Sequence, residues 1–402
     1  MFLLPALLPG DWPQFRGPDS DGHVTEASVP AEWSDSKNVT WKVALPGLGW
    51  SSPSVVKDRI YLTTAVPKGE GLSLRALCLS SRDGSMIWDQ EVRAIDKVPS
   101  IHTKNSHASP TPIVDAGSVY VHFGTLGTAR LSADSGEILW LTTQLEYNPL
   151  HGSGGSPVLY NGRLFVACDG TSQPYVAAID AETGHIAWKT LRSIEAKISH
   201  SFGTAAVVMV DGQAQVVLPG PDHLGFYDPE SGVEIARVRA HGWSVVPQPA
   251  VGHGLVIYNH DYDHPELIAV RLGGVGDVTD THIAWRINRG APSTPSPLIV
   301  GDELYFVSDN GIASCVDART GERHWMERLG GNFSSSPVFT NGRILFMNET
   351  GTATWVAAGK QFRKLNENQL SGRTFATPAF SSGAMFLRTD EFLYRFEDQT
   401  QK

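Results

Sequence analysis

Short apolar runs separated by polar turns dominate the chain, and one arrangement of them recurs. A strand begins at a Ser-Pro, Thr-Pro or related pair, a turn containing Gly or Asp follows, and a second apolar strand begins seven residues after the proline. The copies are 52-SPSVVKDRIYL, 111-TPIVDAGSVYV, 156-SPVLYNGRLFV, 248-QPAVGHGLVIY, 296-SPLIVGDELYF, 336-SPVFTNGRILF and 377-TPAFSSGAMFL. An eighth copy, 204-TAAVVMVDGQAQVVL, has Ala205 at the proline position and a slightly longer turn. Each copy predicts a β-hairpin.

A second pattern, seen in 179-IDAETGHIAW-188, places an apolar pair before Asp or Ser, then a turn that ends in Gly, and a Trp four residues after that Gly. The pairs are Gly84 and Trp88, Gly136 and Trp140, Gly184 and Trp188, and Gly321 and Trp325. Gly232 keeps the turn but has Ala236 at the Trp position, while Trp285 follows a longer, altered turn. This pattern predicts a second hairpin in each repeat.

Two hairpins form a four-stranded unit that repeats every 40 to 59 residues, roughly the period of a β-propeller blade. The last unit, residues 375–398, ends after about three strands, whereas 39-VTWKVALPG resembles an outer strand separated from its blade. Pairing these two ends removes two exposed sheet edges. The sequence therefore predicts an all-β, eight-bladed propeller of four-stranded antiparallel blades over residues 39–398, closed by the N-terminal strand. Separate β-sandwiches are the alternative, which the divided end unit disfavours.

Composition agrees with a folded, turn-rich β protein, since 41% of residues are hydrophobic, 18% are charged, and 40 are Gly. The formal net charge is −10 and the chain has no basic run, which argues against a protein that coats nucleic acid. Cys78, Cys168 and Cys315 are too scattered for a disulfide framework or a structural zinc site. We interpret them as small buried apolar residues.

The N-terminus, MFLLPALLPGDW, has the apolar run of a signal peptide without the basic residues that should precede it. We assign residues 1–10 to a remnant of a signal peptide and residues 11–38 to an N-terminal extension. A frayed apolar tail is the alternative, because Pro5 and Pro9 disfavour a helix. No other segment approaches the roughly 18 continuous apolar residues of a membrane span. The expected protein is exported, periplasmic or extracellular, and monomeric.

The D-x-x-T/S-G-x-x-x-W turns resemble those of the pyrroloquinoline-quinone (PQQ) repeat β-propellers. That family includes eight-bladed quinoprotein alcohol dehydrogenases and the non-catalytic scaffold lipoprotein of outer-membrane assembly. The stretches 12-WPQFRGPDSDG-22, 105-NSHASPTP-112 and 330-GGNFSSSP-337, together with residues 294–321, resemble a narrower group, the secreted propellers of planctomycete-type bacteria. The resemblance implies that the repeated Trp residues dock between neighbouring blades; they are Trp41, Trp88, Trp140, Trp188, Trp285 and Trp325.

The resemblance also raises the question of catalysis. Quinoprotein dehydrogenases hold PQQ between a Trp and a disulfide of adjacent cysteines, beside Ca²⁺ or a lanthanide bound by carboxylates and an Asn. No two cysteines are adjacent here, and the chain has little spare length for covering loops. It also lacks a G-x-S-x-G nucleophile motif. We therefore expect no cofactor, with PQQ and Ca²⁺ as the alternative, and we favour a protein that is not an enzyme.

One group of loops is nevertheless rich in His, Asp and Trp. In a propeller, the loops that lead into the innermost strands and those that join the second and third strands project from one face. The first kind supplies Trp50, His107, His151, His200 and Trp243, and the second supplies Asp169, Asp222, His223, His260, Asp261 and Arg388. Imidazole and carboxylate are ligands for divalent metals, and two Trp can stack on a sugar-like ligand. The alternative is chance, since eight blades offer many loop positions to 14 histidines.

These observations lead to one functional hypothesis and two alternatives. The hypothesis is a non-catalytic binding or scaffolding module of the cell envelope, with a protein or a small polar ligand as its partner. The first alternative is an alcohol or sugar dehydrogenase that depends on PQQ and a metal. The second is a propeller that senses a metal or a sugar through the loop face, where the identity of any metal stays unknown.

Overall fold

The computed structural model describes residues 10–24, 29–193 and 196–398, and nearly all of their regular structure is β. The predicted signal-peptide remnant lies almost entirely outside these residues. The first half of the chain contains β1 (His23–Val24), β2 (Val39–Ala44), β3 (Ser54–Val56), β4 (Arg59–Lys68), β5 (Gly71–Ser80), β6 (Met86–Ile95), β7 (Ile113–Asp115), β8 (Ser118–His122), β9 (Thr128–Ser132), β10 (Ile138–Thr142), β11 (Val158–Tyr160), β12 (Arg163–Cys168), β13 (Tyr175–Asp180), β14 (Ile186–Leu191), β15 (Ala206–Val210), β16 (Gln213–Gly220) and β17 (His223–Tyr227).

The second half continues with the same short strands and one short α-helix. Its elements are β18 (Glu234–Arg239), β19 (Ala250–Gly252), β20 (Leu255–Asn259), β21 (Leu267–Arg271), β22 (Gly276–Asp277), α1 (Thr279–His282), β23 (Ile283–Ile287), β24 (Leu298–Val300), β25 (Glu303–Val307), β26 (Ile312–Asp317), β27 (Arg323–Arg328), β28 (Val338–Thr340), β29 (Arg343–Met347), β30 (Thr352–Ala357), β31 (Lys364–Gln369), β32 (Ala379–Ser381), β33 (Ala384–Arg388) and β34 (Phe392–Phe396). A 3₁₀ turn spans Gly124–Leu126. No helix among the described residues has the length and apolarity needed to cross a membrane.

The strands form eight sheets, one for each predicted unit, which confirms the eight-bladed propeller. Blades 1 to 4 are β3–β6, β7–β10, β11–β14 and β15–β18, and blades 5 to 7 are β19–β21 with β23, β24–β27 and β28–β31. The pairing inside each blade is antiparallel, and the short first strands of neighbouring blades contact one another around the axis. Apolar side chains fill the spaces between blades and form the core.

The ring closes as the sequence predicted. Strand β2, from the N-terminal side, pairs antiparallel with β34 and completes blade 8 together with β32 and β33. Two further segments cover outer blade edges: β22 pairs parallel to β18 in blade 4, and Ser34 forms a bridge to Gln369 in blade 7. These contacts protect edges that would otherwise offer unpaired backbone groups to another chain.

The repeated Trp residues lie on the turns of the next blade. The indole N–H of Trp140 donates to the Ala181 carbonyl, and its ring covers Gly184, where an added Cβ would be 2.7 Å from the ring. Trp41, Trp88, Trp188, Trp285 and Trp325 donate in the same way to Ser81, Ala133, Pro229, Ala318 and Gly359. The motif therefore joins each of these blades to its neighbour by one hydrogen bond and one ring contact.

A ring of hydroxyl groups around the axis explains the Ser-Pro and Thr-Pro pairs. In seven blades the residue at that position accepts a hydrogen bond of 3.0–3.1 Å from the backbone N–H of the equivalent residue in the preceding blade. We call this set the hydroxyl ring; its members are Ser52, Thr111, Ser156, Thr204, Ser296, Ser336 and Thr377. In blade 5 the position is Gln248, whose amide donates instead to the Ala205 carbonyl at 2.8 Å.

Candidate functional site

A cavity of about 350 Å³ lies on the propeller axis and opens on the face where the loops lead into the innermost strands. The hydroxyl ring surrounds its deep end, and loops from most blades form its walls. A volume of this size is typical of a site for a small organic ligand. The axis of the fold therefore holds a shaped binding space.

The N-terminal extension closes the cavity on the opposite face. Trp12 pairs with Val55 on the innermost strand of blade 1, and the Pro13 carbonyl accepts the Val114 N–H in blade 2. Arg16 then donates from Nη2 to the Pro297 carbonyl in blade 6 at 2.8 Å, so the segment crosses the axis. The Phe15 side chain, between these anchors, lines the cavity. The channel is a blind pocket.

An aromatic wall occupies the side formed by blades 8 and 1. The rings of Trp50 and Phe375 stack with centroids 4.5 Å apart, and the guanidinium of Arg373 lies 5.0 Å from the Phe375 centroid. The indole N–H of Trp50 is buried and has no hydrogen-bond partner among the described residues. Trp243 and Phe202 add aromatic surface elsewhere in the pocket. A flat ligand ring would find stacking partners here.

Three histidines form a second wall. The ring centroids of His102 and His151 are 5.3 Å apart, those of His151 and His200 are 5.2 Å apart, and both contacts are edge to face. Burial lowers the pKa of His151, and the neighbouring His102 lowers it further. The pKa of His200 is lowered in the same way by burial and by His151. His151 and His200 are thus neutral at pH 7, and each offers one donor and one acceptor.

A loop from blade 2 reaches over the pocket mouth. Asn105 donates to the His151 carbonyl at 2.8 Å, and the Lys104 ammonium lies 3.0 Å from Glu349 and 3.7 Å from Asp309, in blades 7 and 6. Burial opposes the charge on Lys104, but the two carboxylates outweigh it and raise the pKa of the lysine. This ion pair fastens the loop across the mouth.

Four of the residues predicted for the loop face come together in the pocket: Trp50, His151, His200 and Trp243. His107 is half-buried and does not line the pocket, although it lies on the loop that covers the mouth. The structure therefore gathers most of the residues taken from the loops before the innermost strands.

The residues taken from the middle loops lie apart from the pocket, and most have partners of their own. Asp169 forms a buried, bidentate ion pair with Arg192, with N–O distances of 2.9 and 2.7 Å. Asp222 accepts the Gly242 N–H, which holds a turn in place, and its carboxylate also lies 3.1 Å from the exposed His241 ring. Both carboxylates thus have partners within the protein, and neither lines the pocket.

The other four middle-loop residues also have partners within the protein. His223 is buried and contacts the Tyr227 hydroxyl at 3.4 Å. His260 pairs with Glu266 at 3.2 Å, and Asp261 is buried and accepts the Asp263 N–H. Arg388 is buried and donates to Ser51 and Thr63.

The sequence reasoning missed several pocket residues. Tyr262 and Asp263 follow Asp261 directly and line the pocket, so the predicted loop was correct but the residues were shifted by one or two positions. His102 and Lys104 precede the recognised strand start by too many residues for the repeat to place them. Phe15 lies outside the repeats, and only its position in the 12-WPQFRG segment hinted at a role.

Among the described residues, the pocket has no pair of adjacent cysteines of the kind that covers PQQ in quinoprotein dehydrogenases. Cys78, Cys168 and Cys315 are separate, buried thiols, and none lines the pocket. Burial raises the pKa of Cys78 and of Cys315 to about 12. Within the described ranges, no group of three His, Cys, Asp or Glu side chains is placed to hold a metal ion. We therefore derive no reaction step through that cofactor.

Two buried histidines should make the protein acid-sensitive. Burial lowers the pKa of His122 to about 4 and of His223 to about 3, below the value near 6.5 of an unfolded chain. As the pH falls from 6.5 to 4, the two histidines bind protons in the unfolded state but stay neutral in the folded state. The free energy of unfolding therefore decreases. Each histidine contributes a slope of about 1.4 kcal/mol per pH unit in that range.

Urea unfolding at pH 7, 6 and 5 measures this effect. His122→Gln is expected to reduce the slope of the unfolding free energy against pH. The reduction should be about half of the slope that His122 and His223 contribute together. The matched control is His185→Gln, which makes the same substitution at a position exposed on a turn. An equal slope in wild type and His122→Gln would contradict the assignment.

Comparisons with known proteins agree with this architecture. A family model described as outer membrane protein assembly factor BamB matches residues 26–169, 124–232 and 172–400. Among solved structures, BamB from Moraxella catarrhalis superimposes with a TM-score of 0.62 at 13% identity, covering 90% of this chain and 97% of that one. A europium-containing methanol dehydrogenase gives a TM-score of 0.72 at 10% identity, covering 97% and 98%. At these identities the structural matches show the fold alone.

The relatives found by sequence include both BamB proteins and a dehydrogenase. BamB of Burkholderia pseudomallei is 27% identical over 126 residues, which is 31% of this chain and 32% of that protein. A polyvinylalcohol dehydrogenase from a Pseudomonas species is 24% identical over 181 residues, covering 42% and 26%. BamB of Yersinia pestis is 21% identical over 262 residues, covering 63% and 64%. The chain thus spans less than two thirds of the length of each of these relatives.

Proposed function

The chain belongs to the family of the outer membrane protein assembly factor BamB, and from that premise we propose that it is a non-catalytic binding module of the cell envelope whose axial pocket receives a small ligand. The observation that carries this proposal is the blind pocket itself. Its deep end is closed by the N-terminal extension, and its walls combine stacked aromatic rings with neutral imidazoles. The names of the relatives support a location in the envelope.

The chemistry of the walls favours binding over catalysis. A catalytic site of the dehydrogenase kind needs a metal set and a positioned base. The acids at the mouth, Asp309 and Glu349, are engaged by Lys104, so their role is to hold the covering loop. The remaining polar groups suit recognition of a ligand by stacking and hydrogen bonds.

Saturation-transfer NMR with a panel of monosaccharides, benzyl alcohol, benzoate and nicotinate tests the proposal. We expect saturation transfer to the members with an aromatic ring. The transfer signal should fall at least severalfold in Trp50→Ala and in Trp243→Ala, because each variant removes a stacking surface. His241→Gln is the matched control, since His241 lies two residues from Trp243 with a 98% exposed side chain.

Two results would overturn the proposal. The first is a panel in which no member receives transfer, or in which both Trp variants behave as wild type. The second concerns catalysis: protein incubated with PQQ and Ca²⁺ is expected to show no dye-linked alcohol oxidation above the buffer rate, and turnover would contradict the non-catalytic assignment.

A further inference from the structure

The hydroxyl ring has unused hydrogen-bonding capacity that faces the pocket. Each of its seven hydroxyl oxygens accepts a backbone N–H from the preceding blade, and all seven residues line the cavity. Within the described ranges, none of these hydroxyls donates its own proton to a protein acceptor. A hydroxyl has one O–H to give as well as lone pairs to receive, so each member keeps one free donor.

These free donors should be stronger than ordinary hydroxyls. A hydrogen bond received by an oxygen polarises its O–H bond and strengthens the bond that the hydroxyl donates. The deep end of the pocket is thus rich in donors, which is the requirement for binding oxygen atoms that carry negative charge.

Two buried arginines next to the ring add positive charge. Arg388 donates to the carbonyl of Ser51, beside ring member Ser52, and Arg16 donates to the carbonyl of Pro297, beside ring member Ser296. Neither guanidinium has a carboxylate within salt-bridge distance among the described residues, and each retains an unpartnered Nε.

Burial lowers the pKa of Arg388 to about 9 and of Arg16 to about 10. Both values lie above 7, so both side chains stay charged at neutral pH. A buried cation without a counter-charge is costly, and a bound anion nearby would offset that cost.

We propose that the hydroxyl ring is an oxyanion site, where the convergent O–H groups hold the oxygen atoms of a carboxylate, sulfate or phosphate group on the propeller axis. The proposal rests on the proposed function and names the chemical class of the ligand. A ligand with a ring and an oxyanion group fits both regions, its ring against Trp50 and its charge on the hydroxyls. Free inorganic anions share the same chemistry and would occupy the ring alone.

Calorimetric titration with benzoate, benzyl alcohol and sodium sulfate tests the site at constant ionic strength. We expect benzoate to bind at least tenfold more tightly than benzyl alcohol, and sulfate to compete with benzoate. Sulfate binding with no gain from the ring of benzoate would identify free inorganic anions as the ligand. Equal affinity for benzoate and benzyl alcohol would overturn the oxyanion site and leave the proposed function intact. No binding of either would overturn the oxyanion site, and the proposed function would fall with it only if no member of the NMR panel received transfer.

Variants separate binding from blade closure. Ser336→Ala removes one ring hydroxyl and is expected to weaken benzoate binding about tenfold, while Ser336→Thr keeps the hydroxyl and should retain the affinity. The matched control is Ser54→Ala, since the Ser54 hydroxyl is buried beside the ring but donates to the Pro112 carbonyl and does not line the pocket. Full affinity in folded Ser336→Ala would show that the ring serves only to join blades.

A second measurement does not depend on the variants. Crystals soaked in sodium selenate should show anomalous selenium density on the axis, within hydrogen-bond distance of the ring hydroxyls. Absence of that density at selenate concentrations that compete with benzoate in solution would overturn the placement of the anion.

Discussion

Replacement of Asp169 by Asn is expected to lower the free energy of unfolding by about 3–5 kcal/mol, the range measured when one partner of a buried ion pair is removed. Asp169 and Arg192 have no solvent-exposed side-chain surface. Arg192 also donates to the Leu218 and Pro219 carbonyls in blade 4, so the pair joins blade 3 to its neighbour. Asn keeps the shape of the side chain but leaves the guanidinium without its counter-charge.

The guanidinium cannot escape this cost by losing its proton. Burial lowers the pKa of Arg192, and in the native protein the Asp169 carboxylate and Tyr227 outweigh burial and raise it; Asp169→Asn removes the first of these two opposing groups. An arginine remains protonated in proteins even at unfavourable sites. The charge therefore persists in Asp169→Asn, and the cost appears as lost stability.

Urea or thermal unfolding at pH 7 measures the loss. Asp58→Asn is the matched control, because Asp58 and Arg82 form an exposed pair at 3.2 Å, and exposed pairs contribute about 0–1 kcal/mol. The double variant Asp169→Leu with Arg192→Met should recover part of the stability, since it removes both charges. Equal effects of Asp169→Asn and Asp58→Asn would contradict the interpretation.

Asp169 also illustrates what the sequence could not reveal. The repeat placed Asp169 correctly in a loop between the second and third strands of blade 3. Its partner, Arg192, lies 23 residues away and outside both repeated patterns. The spacing of residues in the repeat therefore did not predict this ion pair. A loop carboxylate looks the same in sequence whether it faces a ligand or a buried guanidinium.

The fold was predictable because its determinants are local and repeated. The turn glycine, the Trp four residues later and the Ser-Pro or Thr-Pro pair each mark the same position in many blades, so chance matches average out. The closing strand was predictable because the last unit lacked a strand that residues 39–44 could supply. Even so, the hydroxyl before the proline was recognised only as a landmark, since its partner lies in a different blade.

The pocket was only partly predictable because its residues do not follow the repeat. Trp50, His151 and His200 occupy equivalent loops, and the period finds such positions. Phe15 and Lys104 reach the pocket through an N-terminal crossing and a long covering loop, which no repeat specifies. In this fold, function depends on positions that differ between the repeats. Such positions cannot be predicted by comparing one repeat with another.

Replacement of Gly184 by Ala is expected to cost about 3 kcal/mol in unfolding free energy. Gly184 has a φ of +76°, a conformation that costs an L-residue roughly 1–2 kcal/mol. Its added Cβ would lie 2.7 Å from the Trp140 ring, so the ring must shift out of its place between blades 2 and 3. Forced repacking of this kind adds typically 1–3 kcal/mol.

Gly162→Ala separates the two contributions. Gly162 has nearly the same φ, +73°, but an added Cβ there meets no atom within 4 Å. This variant should lose only the backbone term of about 1–2 kcal/mol, and the excess loss in Gly184→Ala then measures the Trp contact. Equal losses in urea unfolding would show that the glycine is needed for the turn alone. A clear excess would show that the same glycine also serves as the docking surface, which explains why the Gly and Trp recur together along the chain.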